Sequence, residues 1–281
     1  MHVVAEVERE EYKSGKKPTR FIFVDFLRGL TVLFVVLFHL MWNMDYFELV
    51  DFKPEESILI CGVELATLKF LSYSLVMYAL LHYIALRTPA TAQALSVPVI
   101  LMCIYSWKNA AQHYGVAMIM FILGMSLALR QSSRGPDYEK FVILFCIACG
   151  LTILTSLVVP RQFIYFGAIH CLALNSLLGS FIVPVSRYCG WIGFLILLYT
   201  PVLGKFPLEV PVYPSLDLMP WFNNLGFVAF GIYAHHLGMH ALQSEVFEKT
   251  IFPTLGHHSL KIYLTHQLIL FPLVFGVKRI I

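Results

Sequence analysis

Charged residues are scarce in this sequence: Asp, Glu, Lys and Arg together make up 13% of its 281 residues. A typical soluble globular domain carries about 25%. Hydrophobic residues reach 58%, and the mean hydropathy is +0.74. This composition excludes an ordinary soluble domain and predicts a polytopic membrane protein. The net charge of +3 therefore bears on membrane topology, and no motif indicates a nucleic-acid partner.

The N-terminal residues lack the apolar core that a cleavable secretory signal needs, and their acidic residues are atypical of an organelle transit peptide. Residues 1–19 are therefore predicted to be a polar tail. A basic cluster that ends at Arg20 precedes the first apolar run, whereas the loop after that run is mostly acidic. The positive-inside rule then places the N-terminus on the cytoplasmic side or its equivalent. Which membrane holds the protein stays open.

Disulfide and metal patterns are also missing. The six cysteines lie within or beside apolar stretches, where a small apolar packing role is the better interpretation, and no disulfide framework is predicted. His235, His236 and His240 are close in sequence, but no acidic third ligand stands beside them. No metal site is therefore predicted.

Long apolar runs, by contrast, are abundant. They predict an all-α, polytopic membrane bundle with about nine transmembrane helices, within a range of about seven to ten. Residues 20–281 are predicted to form one transmembrane domain. The run at 93–107 is short and contains Pro98, so a re-entrant segment is an alternative there. The predicted spans are 21–43, 58–86, 93–107, 114–130, 140–159, 164–184, 189–204, 221–239 and 259–277.

The first predicted span carries ionisable residues that are costly in lipid. Asp25, Arg28 and His39 follow the spacing that places side chains on one helical face. His39 lies about 16 Å along the axis from Arg28. Ionisable residues inside a span indicate function by default. The alternative is a packed Asp25–Arg28 salt bridge with a hydrogen-bonded core histidine. Gly29 is predicted to admit close approach of another helix or of an extended ligand.

Arg20, Asp25, Arg28-Gly29 and His39 resemble the first helix of the transmembrane acyltransferases related to heparan-α-glucosaminide N-acetyltransferase. Further stretches resemble that family in the same order. They are MIMFILGMSLAL at 118–129, which is the weakest, IYFGAIHCLALNSLL at 164–178, DLMPWFNNLGFVAFGIY at 217–233 and LGHHSLKIYLTHQ at 255–267. Residues 53–114 show no clear counterpart. They are predicted to be a divergent or inserted helical segment, through which the chain would contact another copy or other membrane subunits.

The resemblance implies transfer of an acyl group, most simply acetyl, from coenzyme A to a hydroxyl or amine of a sugar-like or glycan-like acceptor. Acetyl-CoA is then a co-substrate, no metal is expected, and the partners are membrane lipids, the acyl donor and the acceptor. Whether a histidine acts as base or is itself acylated stays open. The predicted catalytic residues are His39, His170 and His266. The residues predicted to bind the acyl donor are Arg20, Asp25, Arg28 and Gln267.

Two departures from the family pattern keep alternatives open. The family has Asp four residues after the first-helix histidine, where this chain has Asn43, and Arg where this chain has His257. A non-catalytic, acyltransferase-like subunit of a larger membrane complex is therefore one alternative. A transporter or lipid carrier is a second, although no internal repeat is evident. For His170 and His266, a structural hydrogen bond competes with a catalytic role.

Overall fold

Helices dominate the described parts of the computed structural model. It describes residues 21–50, 59–60, 63–64, 115–131, 138–203, 215, 217–241, 247 and 249–280. Two short 3₁₀ helices, Val183–Tyr188 and Met239–Ala241, and an antiparallel strand pair, β1 (Leu59–Ile60) and β2 (Val63–Glu64), accompany them. The α-helices are α1 (Ile22–Tyr46), α2 (Gly115–Gln131), α3 (Tyr138–Val158), α4 (Ala168–Ile182), α5 (Cys189–Leu203), α6 (Trp221–His236), α7 (Phe252–His257) and α8 (Ser259–Ile280).

The predicted helical class is confirmed, with one local exception. Each predicted span that falls on described residues coincides with one of α1 to α6 or with α8. The predicted span at 58–86, however, begins with the strand pair, in which Ile60 pairs with Val63. The rest of that span and the one at 93–107 lie outside the described residues.

Among the described residues, four stretches are long and apolar enough to cross a membrane: Ile22–Tyr46, Phe141–Val158, Ala168–Tyr199 and Ser259–Ile280. The predicted count of nine spans is therefore not confirmed. Ala168–Tyr199 contains the 3₁₀ segment, where Val185 leaves helical geometry beside Pro184. Large apolar side chains face outward, for example Leu157 and Leu268, which are 77% and 68% exposed. Such faces are suited to lipid rather than water.

α1 and α8 run in the same direction. Successive positions along α1 meet successive positions along α8: His39 contacts His266, Asn43 contacts Gln267, and Phe47, just past the end of α1, contacts Phe275.

The chain divides into two compact units. The central unit holds residues 120–131 of α2 and helices α3 to α6. The terminal unit holds α1, the strand pair, residues 115–119 of α2, α7 and α8. The single domain predicted over residues 20–281 stays a prediction.

A close glycine crossing joins two helices within each unit. In the terminal unit, a Cβ on Gly29 would fall on the carbonyl of Phe252, and one on Gly256 would fall on the carbonyl of Asp25. The prediction that Gly29 admits a close neighbour is confirmed, and that neighbour is the backbone of α7. The central unit repeats the arrangement between α2 and α6, where Gly124 meets the carbonyl of Val228 and Gly231 that of Phe121. Small residues allow this approach of backbones within a membrane.

Candidate active site

The predicted site residues of the terminal unit include two pairs of ionisable side chains. The first is Asp25 and Arg28, in the first turns of α1. Arg28 donates from Nη1 to Oδ1 of Asp25 over 2.9 Å. Asp25 is buried, whereas the Arg28 side chain is 35% exposed. The spacing of three residues places the two on one helical face, as the sequence predicts. The carboxylate therefore orients a guanidinium that still reaches the surface of the unit.

The second pair consists of two imidazoles. The rings of His39 on α1 and His266 on α8 lie with their centroids 4.7 Å apart, at an interplanar angle of 64°. His266 is buried, and His39 is partly exposed. A pair of positive charges at this separation would repel by about 3 to 4 kcal/mol at an effective dielectric constant of about 20. The pair therefore holds one proton more readily than two.

Backbone carbonyls determine which nitrogen of each ring carries the proton. Nδ1 of His39 lies 2.8 Å from the carbonyl oxygen of Val35, and Nδ1 of His266 lies 2.6 Å from that of Tyr263. Because a carbonyl oxygen only accepts, both Nδ1 atoms must donate. In the neutral rings, Nε2 then bears the lone pair, which is the form of a general base. Nε2 of His266 is buried and has no hydrogen-bond partner among the described residues.

Asn43 and Gln267 lie next to the imidazole pair in sequence on the same two helices. Asn43, one turn beyond His39, is fully buried. Its Nδ2 donates to Oε1 of Gln267 over 3.0 Å. Its own Oδ1 is buried and finds no donor within the described ranges. The sequence places Asn43 on the face of His39, but the contact to Gln267 joins positions 224 residues apart and has no local signal.

His170 belongs to the central unit and has both ring nitrogens engaged. The backbone N–H of Gly167 donates to its Nδ1 over 3.2 Å. Its Nε2 lies 3.1 Å from Oγ1 of Thr152, which in turn donates to the carbonyl of Ala148. Since Nδ1 accepts, Nε2 must carry the hydrogen and donate to Thr152. His170 thus closes the N-terminus of α4 in the manner of a capping box.

An acid from outside the membrane spans completes that cap. Oδ2 of Asp217 accepts the N–H of Ala168, the first residue of α4, over 2.7 Å. Burial raises the pKa of the Asp217 carboxyl, and the bond from Ala168 opposes part of that rise. Phe166 and Leu218 form an isolated parallel bridge beside it. This acid therefore caps α4 rather than α6, the helix that follows it in sequence.

A second polar cluster in the central unit involves a cysteine. The sulfur of buried Cys171 accepts from Nδ2 of Asn175 at 3.2 Å, with Nδ2 of Asn224 at 3.6 Å. The sequence predicts only apolar packing for the cysteines, so the polar contacts of Cys171 were missed. Its spacing of four residues from Asn175 on one helix was the available signal.

The described site residues thus belong to two units. The terminal unit brings together Asp25 with Arg28, and His39 with His266 and Gln267. His170 lies in the other unit. Arg20 lies outside the described residues, and so does almost all of the divergent segment at 53–114. The roles predicted for these residues stay predictions.

Together, these observations define an integral membrane helical protein. Its terminal unit carries an arginine, Arg28, and a pair of imidazoles, His39 and His266, on α1 and α8. The heparan-alpha-glucosaminide N-acetyltransferase catalytic family matches residues 20–104 and 101–268. The chain belongs to that family, as its motifs predict, and is a membrane acyltransferase-like protein. The match takes in all of segment 53–114, whose divergence stays a prediction. No curated protein and no solved structure matches the chain.

Proposed function

We propose that the chain transfers an acetyl or other short acyl group from coenzyme A to a hydroxyl or amine of a sugar-like acceptor. The observation that carries this proposal is the pair of imidazoles, His39 and His266, whose Nδ1 atoms are both committed to backbone carbonyls. Each neutral ring therefore offers a lone pair at Nε2, and a base for an incoming O–H or N–H is what acyl transfer needs.

His39 is the better placed of the two to meet a substrate, because its side chain is partly exposed. In the proposed step, Nε2 of His39 takes the proton of the acceptor while the acceptor oxygen or nitrogen bonds to the thioester carbon. The tetrahedral intermediate then collapses and breaks the carbon–sulfur bond. The imidazolium returns its proton to the sulfur, so the products are the acylated acceptor and the free thiol of coenzyme A.

His266 stabilises the protonated form of His39 in that step. Its ring lies against the ring of His39, and it stays neutral when His39 carries the proton because two adjacent positive charges would repel. The polar edge and π face of two rings at this distance attract, and the attraction grows when one ring is cationic. Its buried Nε2 also offers an acceptor for a second X–H of the substrate.

Arg28 is the residue proposed to bind the phosphates of the acyl donor. Guanidinium groups bind phosphate oxygens strongly, and Asp25 holds this one in place. On a continuous α1, Arg28 lies about 16 Å from His39 along the axis, a span that suits an extended thioester-bearing arm. The donor cannot approach across Gly29, because the backbone of Phe252 occupies that face.

The test is turnover by the purified protein in lipid nanodiscs. Acetyl-CoA is supplied with glucosamine or glucose, as amine and hydroxyl acceptors, and free thiol and labelled product are followed. We expect His39→Ala to lower kcat/KM by about 10²-fold to 10⁴-fold, and His266→Ala to lower it less. His258→Ala is the matched control, because that histidine is exposed and belongs to the same unit.

A wild-type protein that releases no thiol above background with either acceptor would contradict the proposal. Turnover that is indifferent to His39→Ala would contradict the role of the imidazole pair. Copurification of an inactive protein in fixed stoichiometry with other membrane subunits would favour the non-catalytic alternative.

A further inference from the structure

The side chains of Asn43 and Gln267 meet through one hydrogen bond whose direction has a chemical consequence. Nδ2 of Asn43 donates to Oε1 of Gln267 over 3.0 Å. Within the described residues this is the one hydrogen bond that the Gln267 side chain makes. Its acceptor oxygen is thus occupied, whereas its NH₂ group is not. Gln267 is partly exposed, and Asn43 is fully buried.

From this geometry we infer that Asn43 is a positioning residue which turns Gln267 into a hydrogen-bond donor for the oxyanion of the acyl-transfer intermediate. The inference rests on the proposed function. A carboxamide presents an acceptor and two donors and can rotate to offer either. The bond from Asn43 removes that freedom, because it holds the oxygen of Gln267 toward α1 and leaves its NH₂ as the polar group free to face a ligand.

The position of Gln267 suits that role. It follows His266 directly on α8, and its partner Asn43 follows His39 by one turn, or about 6 Å, on α1. The NH₂ group of Gln267 and the imidazole pair therefore lie along the same α1–α8 interface. A base beside a fixed donor is the combination that acyl transfer requires, because the negative charge develops on the carbonyl oxygen as the base takes the proton.

Buried acceptor atoms at the α1–α8 interface support the same assignment. Nε2 of His266 and Oδ1 of Asn43 are both buried acceptors that lack a partner among the described residues. Buried polar atoms without partners are costly, since each loses its hydration. A substrate that supplies X–H donors to these acceptors, and a developing oxyanion to the Gln267 amide, satisfies all three groups at once.

Gln267→Glu is the decisive variant. A carboxylate oxygen at 267 still accepts from Nδ2 of Asn43, so the contact between α1 and α8 is kept, but the NH₂ donor is gone. We expect kcat to fall by about 10²-fold to 10³-fold, while KM for acetyl-CoA and the thermal midpoint change little. Gln162→Glu is the matched control, because Gln162 is exposed in the central unit.

Asn43→Asp tests the positioning role with a nearly identical shape. Asp only accepts, so the Gln267 amide must reverse and donate to it, which turns the oxygen of Gln267 toward the substrate. Because Asp is the residue that the family pattern has at this position, the readout of Asn43→Asp is the orientation of the Gln267 amide, and the kinetic test rests on Gln267→Glu. A wild-type kcat in Gln267→Glu, or a loss confined to KM, would overturn the inference.

A spectrum separates this inference from the proposed function. In protein labelled with [¹⁵N]glutamine, the Gln267 NH₂ resonances are those that disappear in Gln267→Glu. We expect them to move downfield in Asn43→Asp, when they become bonded to a carboxylate. Resonances that do not move would overturn the role of Asn43, whether or not the enzyme turns over. An inactive wild-type protein with the expected shift would overturn the proposed function and the oxyanion role, and would leave the polarity of the pair standing.

Discussion

The histidines of the two units lie in opposite hydrogen-bonding environments. His170 in the central unit accepts from Gly167 and donates to Thr152, so both of its nitrogens are committed to the helix start that it caps. His39 and His266 in the terminal unit commit only Nδ1. A histidine with both nitrogens engaged stabilises a fold, whereas one with a lone pair at Nε2 is equipped to take a proton. Residue type and membrane burial do not separate the two cases, but hydrogen-bond direction does.

The glycine crossings are the feature that the two units share, and we expect them to give the largest effects on stability. Gly29→Ala and Gly256→Ala in the terminal unit each place a methyl group on a backbone carbonyl, as do Gly124→Ala and Gly231→Ala in the central unit. Backbones cannot move aside as a side chain can. We expect each variant to lose about 1 to 3 kcal/mol or more of unfolding free energy, measured by thermal or denaturant unfolding in detergent.

Two other glycines control for the intrinsic effect of alanine. A Cβ on Gly276 in α8, or on Gly150 in α3, meets no atom within 4 Å. Alanine favours helix over glycine by about 1 kcal/mol, so Gly276→Ala and Gly150→Ala should be neutral or stabilising. Equal destabilisation at the crossing and control positions would contradict the close approach of the helices.

Variants at His170 sharpen the contrast between the units. His170→Ala removes the acceptor for the Gly167 N–H and the donor to Thr152, and we expect a loss of about 1 to 2 kcal/mol in stability. His170→Gln should recover most of it, because glutamine at this third helical position is a capping-box residue. Per folded molecule, kcat should stay within about threefold of the wild type in both variants, since both nitrogens of His170 serve the helix start.

The opposite result would restore a catalytic role for this residue. If His170→Gln keeps the thermal midpoint of the wild type but loses about 10²-fold or more in kcat, the size expected for a general base, the capping bonds are not the main role of His170. The two units would then both contribute to the chemistry.

Local pattern was sufficient to predict α1 to α6, α8 and the placing of Asp25, Arg28 and His39 on one face of α1. A run of apolar residues predicts a membrane helix from composition alone, and the spacing of Asp25, Arg28 and His39 follows from helical period. The same rule predicts the Asp25–Arg28 bond, which the structure confirms. Residues close in sequence meet by geometry that every α-helix shares.

Local pattern could not predict contacts between segments that are distant in sequence. The bond from Asn43 to Gln267 and the packing of His39 on His266 depend on α8 returning beside α1, and no periodicity specifies which helices become neighbours. The strand pair at the start of a predicted span was missed for a related reason. Strands of two residues are too short to show the alternation that predicts a strand, so the apolar signal around them prevails.

The smallest expected effect is a pH dependence in the central unit that arises from Asp217. Burial raises the pKa of this carboxyl above its ordinary value of 3.8, and the Ala168 N–H offsets part of the rise. The folded protein therefore holds this proton to higher pH than the unfolded chain does. By linkage, this group costs the folded state nothing below about pH 4. Stability falls as the pH rises from there toward the raised pKa, and it is level above that pKa.

Asp217→Asn isolates that contribution, because an amide oxygen still accepts from Ala168 but does not titrate. We expect the thermal midpoint of the wild type, relative to that of the variant, to fall as the pH rises from about 4 and then to level off once the folded carboxyl is ionised. Glu139→Gln, at an exposed carboxyl in the first turn of α3, controls for a change of one charge in the same unit. A difference that grows in favour of the wild type with rising pH would mean that the bond from Ala168, and not burial, dominates at Asp217. The start of α4 would then be held by an ionised acid, as the Arg28 side chain in the terminal unit is held by the carboxylate of Asp25.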